Sequence, residues 1–314
     1  MICENTRWQG EPAVRLRGGD YEALILPAFG ANCVSLRHLP SGADLLRTPE
    51  SPAALREAPY VYGLPLQFPP NRVRDGRFVF EGRRYQLPVN EPARGNHIHG
   101  FLGGTSFESI GEGAFLFRAD AARPYPGFPH AFSVERRYSP DEDGLTAVTV
   151  FRNLSETDMP MGTGVHAAFN VPFLPNTAPE EYTLSVPALE QWRCDPERCL
   201  PTGERITESP ALDMLRRGTM RPEEQALSCL MRCENAPIRL QCRGGALICE
   251  RGEEYPFVML WNGGGHRGFC CPEPQSWVPD APNRPEPPAD TGMAFLRPGE
   301  ERVYRLRVCF EPAN

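Results

Sequence analysis

Short apolar runs separated by turn residues dominate this chain, and the clearest of them repeat with a period of two. Arg302-Val303-Tyr304-Arg305-Leu306-Arg307-Val308 sets arginines against apolar neighbours, the pattern of a strand with one face in water. The runs at 21–26, 77–80 and 145–151 also read as strands. Phe80-Glu81-Gly82-Arg83 predicts a tight hairpin turning at Glu81-Gly82, and Asp75-Gly76 is a second turn signal. Helical periodicity is scarce. The best candidate is 210–217, with Ser209 as N-cap, Pro210 in the first turn and Gly218 beyond the end.

Composition strengthens the β reading. With 35 Pro and 29 Gly among 314 residues, about a fifth of the chain favours turns, which suits short antiparallel strands better than long helices. No period of twenty to fifty residues recurs, so a solenoid or propeller is not indicated. The Pro-rich stretch 272–288 lies between two strand-like runs and reads as a long ordered loop rather than a linker. The expectation is therefore a mostly β chain with few short helices, forming one domain over 1–314.

Charge and residue usage exclude several functions. A formal charge of −7 gives no cationic surface for nucleic acid. All 33 basic residues are Arg, so the chain has no lysine for a Schiff base, a P-loop or a pyridoxal-phosphate site. Glu4, Arg7, Glu11 and Arg15 interrupt the N-terminus, so it lacks the apolar stretch of a secretory signal, and no run is long enough to span a bilayer. A cytoplasmic protein with no membrane partner is expected. Eleven cysteines cannot pair completely. Cys194/Cys199 and Cys229/Cys233 are spaced by four and three residues, and no Cys-x-x-Cys or His-x-x-x-His occurs, so no metal is expected.

Three separated segments carry candidate chemistry. The first contains Gln67, Asn71 and Arg72 and continues to His97-Ile98-His99-Gly100. Arg72 offers a fork of donors to a polyol or a carboxylate, although a plain surface arginine has the same local sequence. His97 and His99 share a face if this segment is extended, which would allow a two-histidine metal pair. The second segment holds His166 among Gly162, Gly164, Ala167 and Ala168, small residues that would let a ligand approach. The third is Glu273, between Pro272 and Pro274, where a stiff backbone would hold a carboxylate in place. A carboxylate paired with an imidazole can take a proton from one oxygen while giving one to another, without a cofactor.

Taken in order, these segments resemble the aldose 1-epimerase family, the galactose mutarotases. The resemblance runs through Asn71-Arg72-Val73, Gly76-Arg77-Phe78, Tyr85-Gln86-Leu87, His99-Gly100, Tyr125-Pro126-Gly127-Phe128-Pro129, His166-Ala167-Ala168-Phe169-Asn170, Pro201-Thr202-Gly203, Glu273-Pro274-Gln275, Asp280-Ala281-Pro282-Asn283 and Leu296-Arg297-Pro298-Gly299-Glu300. It implies a large antiparallel β-sandwich, the galactose mutarotase-like supersandwich, with an open cleft on one sheet. It implies Glu273 as general base, His166 as general acid, and Arg72 and His99 as holders of the sugar's oxygens. Asn71 joins this binding set. Trp261 and Gln67 are candidates for stacking and for a hydroxyl contact, with a core position the alternative for Trp261. The implied activity is cofactor-independent anomer exchange of a small aldose by a monomer or homodimer. A desolvated Glu273 and a protonated His166 are expected in the resting protein.

Two departures from the family pattern concern the sugar. The aromatic that commonly follows the acid histidine in the family, in His-x-Tyr-Phe-Asn, is replaced by Ala168 here. The substrate-binding Asp of the galactose enzymes has no clear counterpart, with Glu223, Glu224 and Asp213 as guesses. A catalytically silent sugar-binding module and a glycoside hydrolase are the competing readings.

Overall fold

The computed structural model describes residues 1–313. The predicted strands appear as Tyr21–Leu26, Arg77–Phe80, Gly144–Asn153 and Glu301–Pro312. The predicted hairpin forms, with Phe80 opposite Arg83 across the Glu81-Gly82 turn. The predicted helix is Pro210–Arg217: Ser209 Oγ accepts from Leu212 N, and Gly218 closes it at φ 67°. α-Helices are otherwise limited to Pro52–Glu57 and Pro288–Thr291 among the described residues.

Two eight-stranded antiparallel sheets supply most of the architecture, and a five-stranded meander from Ile2 to Asp44 precedes them. In one large sheet Phe132–Asp141, Gly144–Asn153, Glu301–Pro312 and Gly245–Arg251 run side by side. In the other, Ala188–Cys194, Ser228–Cys233, Phe257–Trp261 and Phe269–Gln275 are neighbours. Gly164–Val165 and then Leu66–Gln67 continue this second sheet past Phe269–Gln275. A continuous buried cluster drawn from both sheets lies beneath it. Alternation puts one side of strands such as Phe132–Asp141, Gly144–Asn153 and Glu301–Pro312 in that cluster, which is why a period of two is visible in the sequence.

Phe68 links this core to the functional side. Its ring lies 5.0 to 5.7 Å from the rings of Phe128, Phe132, Phe151 and Tyr125. Burying one such side chain stabilises by roughly 1.5–3 kcal/mol. Its backbone meanwhile fixes the next residues along, including Asn71 and Arg72. Tyr125 Oη donates to Phe68 O at 2.5 Å and accepts from Phe101 N at 2.6 Å, tying the 68 and 101 segments together. Buried Arg136 donates to the carbonyls of Gly30, Ala31 and Leu64, locking the adjoining 64–67 segment.

Gly100 sits at φ 71°, and a Cβ there would fall 1.8 Å from Phe68 O. Gly100→Ala should therefore destabilise the fold by at least about 1–2 kcal/mol from the left-handed backbone alone, before any steric shift. Thermal denaturation would show this as a Tm lower by about 2 °C or more. An unchanged Tm would refute the close approach.

One expectation changes. The 272–288 stretch does not begin as a loop: its first four residues finish the strand Phe269–Gln275, and a 3-10 turn at Ala281–Asn283 and a helix from Pro288 follow. Prolines inside a central strand are tolerated here for a structural reason. Ladder pairs on the far flank stop at Cys270 and resume at Gln275. The intervening segment instead bonds elsewhere, His166 N to Pro65 O and Ala168 N to Gly63 O. Pro272 and Pro274 fall in that gap, where no donor is required of them.

Candidate active site

Because side chains alternate along Phe269–Gln275, Cys271, Glu273 and Gln275 face one way. Glu273 projects into a cleft of about 320 Å³ lined also by His166, His99, Arg72, Asn71, Trp261 and Tyr60. That volume is at the small end of the ligand-pocket range, about 300–1,000 Å³. His166 is held from the opposite side of the ladder gap, and its Nε2 lies 3.1 Å from Glu273 Oε1. Three segments far apart in sequence therefore meet in one cleft.

The second carboxylate oxygen is held by amides. Gln67 Nε2 donates to Glu273 Oε2 at 3.1 Å, and Gln275 Nε2 donates to it at 3.2 Å. Gln67 is fully buried behind the carboxylate and does not line the cleft, so its observed contact is with Glu273. Its Oε1 accepts from Asn71 N, and Asn71 Nδ2 donates to Gln275 Oε1 at 3.4 Å. With Oε2 occupied, Oε1 is left for proton exchange.

Burial governs protonation. It pushes the Glu273 carboxyl up to about 8 and pulls the His166 imidazole down to about 3. Between those values the pair carries one proton, and burial favours the neutral form with that proton on Glu273. The expected desolvation of Glu273 is present, whereas the expected resting imidazolium is disfavoured because both groups are fully enclosed. His99 is likewise held well below the usual imidazole range, by burial first and then by His166. Its ring stands edge-on to His166 at 5.1 Å, and its Nδ1 has no partner among the described residues.

Arg72 forms a two-pronged pair with Glu91, Nε to Oε2 and Nη2 to Oε1, both at 2.8 Å. It is not the free surface arginine that its local sequence also allowed. Trp261 lines the cleft, half-buried, with its ring edge-on to His166 at 5.9 Å and against Phe269 at 5.6 Å. Core and cleft were alternatives for this residue; it has a face in each.

Three readings of the local sequence fail. His97 and His99 do not share a face, because His99 takes φ 62° and ends the strand Asn96–Ile98. His97 instead turns inward, with Nδ1 2.8 Å from Pro88 O, so the two-histidine pair does not form. The small residues around His166 do not make room for a ligand. A Cβ on Gly162 would strike the Trp277 ring at 2.2 Å, one on Gly164 would meet Pro274 O at 2.9 Å, and Ala167 and Ala168 are fully buried. None of Glu223, Glu224 and Asp213 lines the cleft: Glu223 accepts from Gly268 N, Glu224 pairs with Arg221, and Asp213 is exposed on its helix.

Sequence reading also missed residues. Glu91 lies 19 residues beyond Arg72, and no local pattern links them; only the pairing of Arg72–Arg74 with Asn96–Ile98 brings their segments together. The Tyr60 ring lies tilted at 4.9 Å from that of His99, and its hydroxyl donates to Gly100 O, from a loop that carried no signal. Arg94 lines the cleft from the turn after Glu91. Glu273 is the only carboxylate lining the cleft among the described residues.

The family model described as aldose 1-epimerase matches residues 12–309. The chain is 30% identical over 211 residues to the uncharacterized protein YihR of Escherichia coli K12, covering 64% of this chain and 63% of that protein, under two thirds of its length. It is 28% identical over 285 residues to galactose mutarotase of Mus musculus, covering 79% of this chain and 78% of that one. Among solved structures, a galactose mutarotase-like protein from Clostridium acetobutylicum matches with a TM-score of 0.93 at 27% identity, over 99% of this chain and 98% of that one. Galactose 1-epimerase from Lactobacillus acidophilus shares the fold at a TM-score of 0.75 and 18% identity, over 100% and 99%.

Proposed function

From the premise that this chain is a member of the aldose 1-epimerase family, we propose that it interconverts the α and β anomers of a small aldose by acid–base ring opening and reclosure. The observation that carries this reading is the 3.1 Å contact between His166 Nε2 and Glu273 Oε1 at the base of a sugar-sized cleft. The anomeric hydroxyl and the ring oxygen of a pyranose are bonded to the same carbon. An acid and a base within reach of one another can therefore address both.

In this mechanism the sugar enters between the two groups. Its anomeric O–H donates to Glu273 Oε1, and its ring oxygen accepts from His166 Nε2. Those contacts favour the charge-separated tautomer of the one-proton pair, carboxylate with imidazolium. Glu273 takes the hydroxyl proton as His166 protonates the ring oxygen, and the C1–O5 bond breaks to leave the aldehyde. Rotation about C1–C2 presents the other carbonyl face, and reversal of both transfers closes the ring. Gln67 and Gln275 fix Glu273 throughout, while Arg72, His99 and Asn71 hold hydroxyls and Trp261 offers an apolar face. No cofactor takes part. The eleven free cysteines suit a reducing, cytoplasmic setting for the whole chain acting as one unit.

The test is anomer exchange of common aldoses followed by NMR saturation transfer. Acceleration over buffer is expected; none with any aldose would leave a silent sugar-binding module. A hydrolase is disfavoured because such enzymes typically use two carboxylates about 5–10 Å apart, and the cleft wall presents one. The pH profile follows from the pair. Activity should hold through the window in which it keeps one proton and fall as pH rises past about 8, where Glu273 loses it, or drops toward about 3, where His166 gains a second. A rate that stays level to pH 9.5, well past the upper value, would contradict these roles.

A further inference from the structure

Two guanidinium groups in the cleft share a single carboxylate. Glu91 Oε1 lies 2.8 Å from Arg72 Nη2 and 3.6 Å from Arg94 Nε. Arg72 and Arg94 both line the cavity, Glu91 sits behind them, and among the described residues the one carboxyl on the cavity wall is Glu273. Two guanidinium groups on one carboxylate leave this cluster with one positive charge in excess, and burial favours the neutral form of Glu273. The next carboxylates outward pair with neither guanidinium: Asp75 pairs with Arg198 at 3.0 Å, and Asp195 accepts from the backbone amides of Arg198 and Leu200.

The Arg94 fork is held in place yet incompletely used. Its Nη1 donates to Pro196 O at 2.9 Å and to Glu197 O at 2.7 Å, while Nη2 has no partner among the described residues. Arg72 Nη1 has only a 3.4 Å contact with Asn71 Oδ1. Two held guanidinium groups, each with donors to spare, therefore line one small, partly enclosed cavity. Such a wall suits an oxyanion better than a hydroxyl, because arginine forks match carboxylate and phosphate geometry and a cleft concentrates the field of an unbalanced charge. In an aldopyranose gripped at O1 and O5, the substituent on C5 is the next group beyond the ring oxygen, and there it can extend toward that wall.

We infer that the preferred substrate is an anionic aldose, bearing a carboxylate or phosphate at C6, and that Arg94 is the specificity-determining residue. The inference rests on the anomer-exchange reading for the identity of the ligand as a sugar. Its test compares exchange rates for D-glucose and D-galactose with those for D-glucuronate, D-galacturonate and D-glucose 6-phosphate. At least one anionic sugar should show a kcat/KM about 10- to 100-fold above its neutral counterpart, an advantage that shrinks as salt rises. The acids and the phosphate ester distinguish the two sources of the charge. Arg94→Gln should erase most of that advantage, chiefly through KM, while Arg94→Lys should retain part of it and so report on folding as well as charge. Equal rates for charged and neutral sugars, or an acid preference that survives Arg94→Gln, would overturn the inference and leave anomer exchange standing. Calorimetric binding of methyl β-D-glucuronide against methyl β-D-glucoside, neither of which can anomerise, separates the two claims. Tighter binding of the acid by a protein that exchanges no anomers would sink the epimerase reading and keep the anionic subsite.

Discussion

Glu273→Gln should lower kcat for anomer exchange by about 10²- to 10⁴-fold, the usual contribution of one positioned acid–base group. The amide keeps the shape of the side chain, and its oxygen can still accept from Gln67 and Gln275, so the loss would reflect the missing base rather than a collapsed site. The same substitution should stabilise the protein at alkaline pH. Burial raises the folded carboxyl from 4.5 to about 8, so the folded state holds a proton that the unfolded chain releases. The stability tied to that proton is complete below 4.5 and is lost as pH rises through about 8. The variant has no such proton to lose. Its Tm should therefore exceed that of the wild type by a margin that widens from pH 5 to pH 9 and reaches about 3 °C or more. Wild-type turnover in the variant would remove Glu273 from the mechanism, and a margin independent of pH would show that its carboxyl is not raised.

His166→Asn should cut kcat by a similar factor, about 10²- to 10⁴-fold, because asparagine cannot pass a proton to the ring oxygen. Its stability signature has the opposite sign. Burial depresses the imidazole from 6.5 to about 3, so the unfolded chain takes up a proton that the folded one refuses. That stability is present above 6.5 and lost as pH falls toward about 3. Relative to wild type, the variant's Tm should decline less on acidification. The two groups act as a unit, so the double variant Glu273→Gln/His166→Asn should be slower than either single variant by no more than about threefold. Multiplicative losses, measured by the same NMR exchange assay, would mean that the residues work independently.

The resemblance that brought His99, His166 and Glu273 together was legible because each sits in a short motif with an order along the chain. Their physical roles were not. Glu273 has the sequence of a stiff loop acid, and only the ladder gap beside Pro272 and Pro274 makes it a buried residue of a central strand. The glycines and alanines around His166 read as space for a ligand, yet that space is filled by Trp277 and by the 63–67 segment. Glu91 was invisible because a charge pair 19 residues apart has no periodic signature.

By itself the sequence determined the local structure: strands with alternating faces, a capped helix at 210–217, a hairpin at Glu81-Gly82, and a chain without lysine or a basic surface. These follow from side-chain periodicity, turn chemistry and charge, all of which act over a few residues or over the whole composition. Only the tertiary structure decided which polar groups lose water together. Desolvation depends on what covers a side chain from every direction, and the covering atoms around Glu273, His166 and the Arg72–Glu91–Arg94 cluster come from distant segments. That convergence, rather than any motif, leaves one proton on the acid–base pair and gathers two guanidinium groups about one carboxylate beside the cleft.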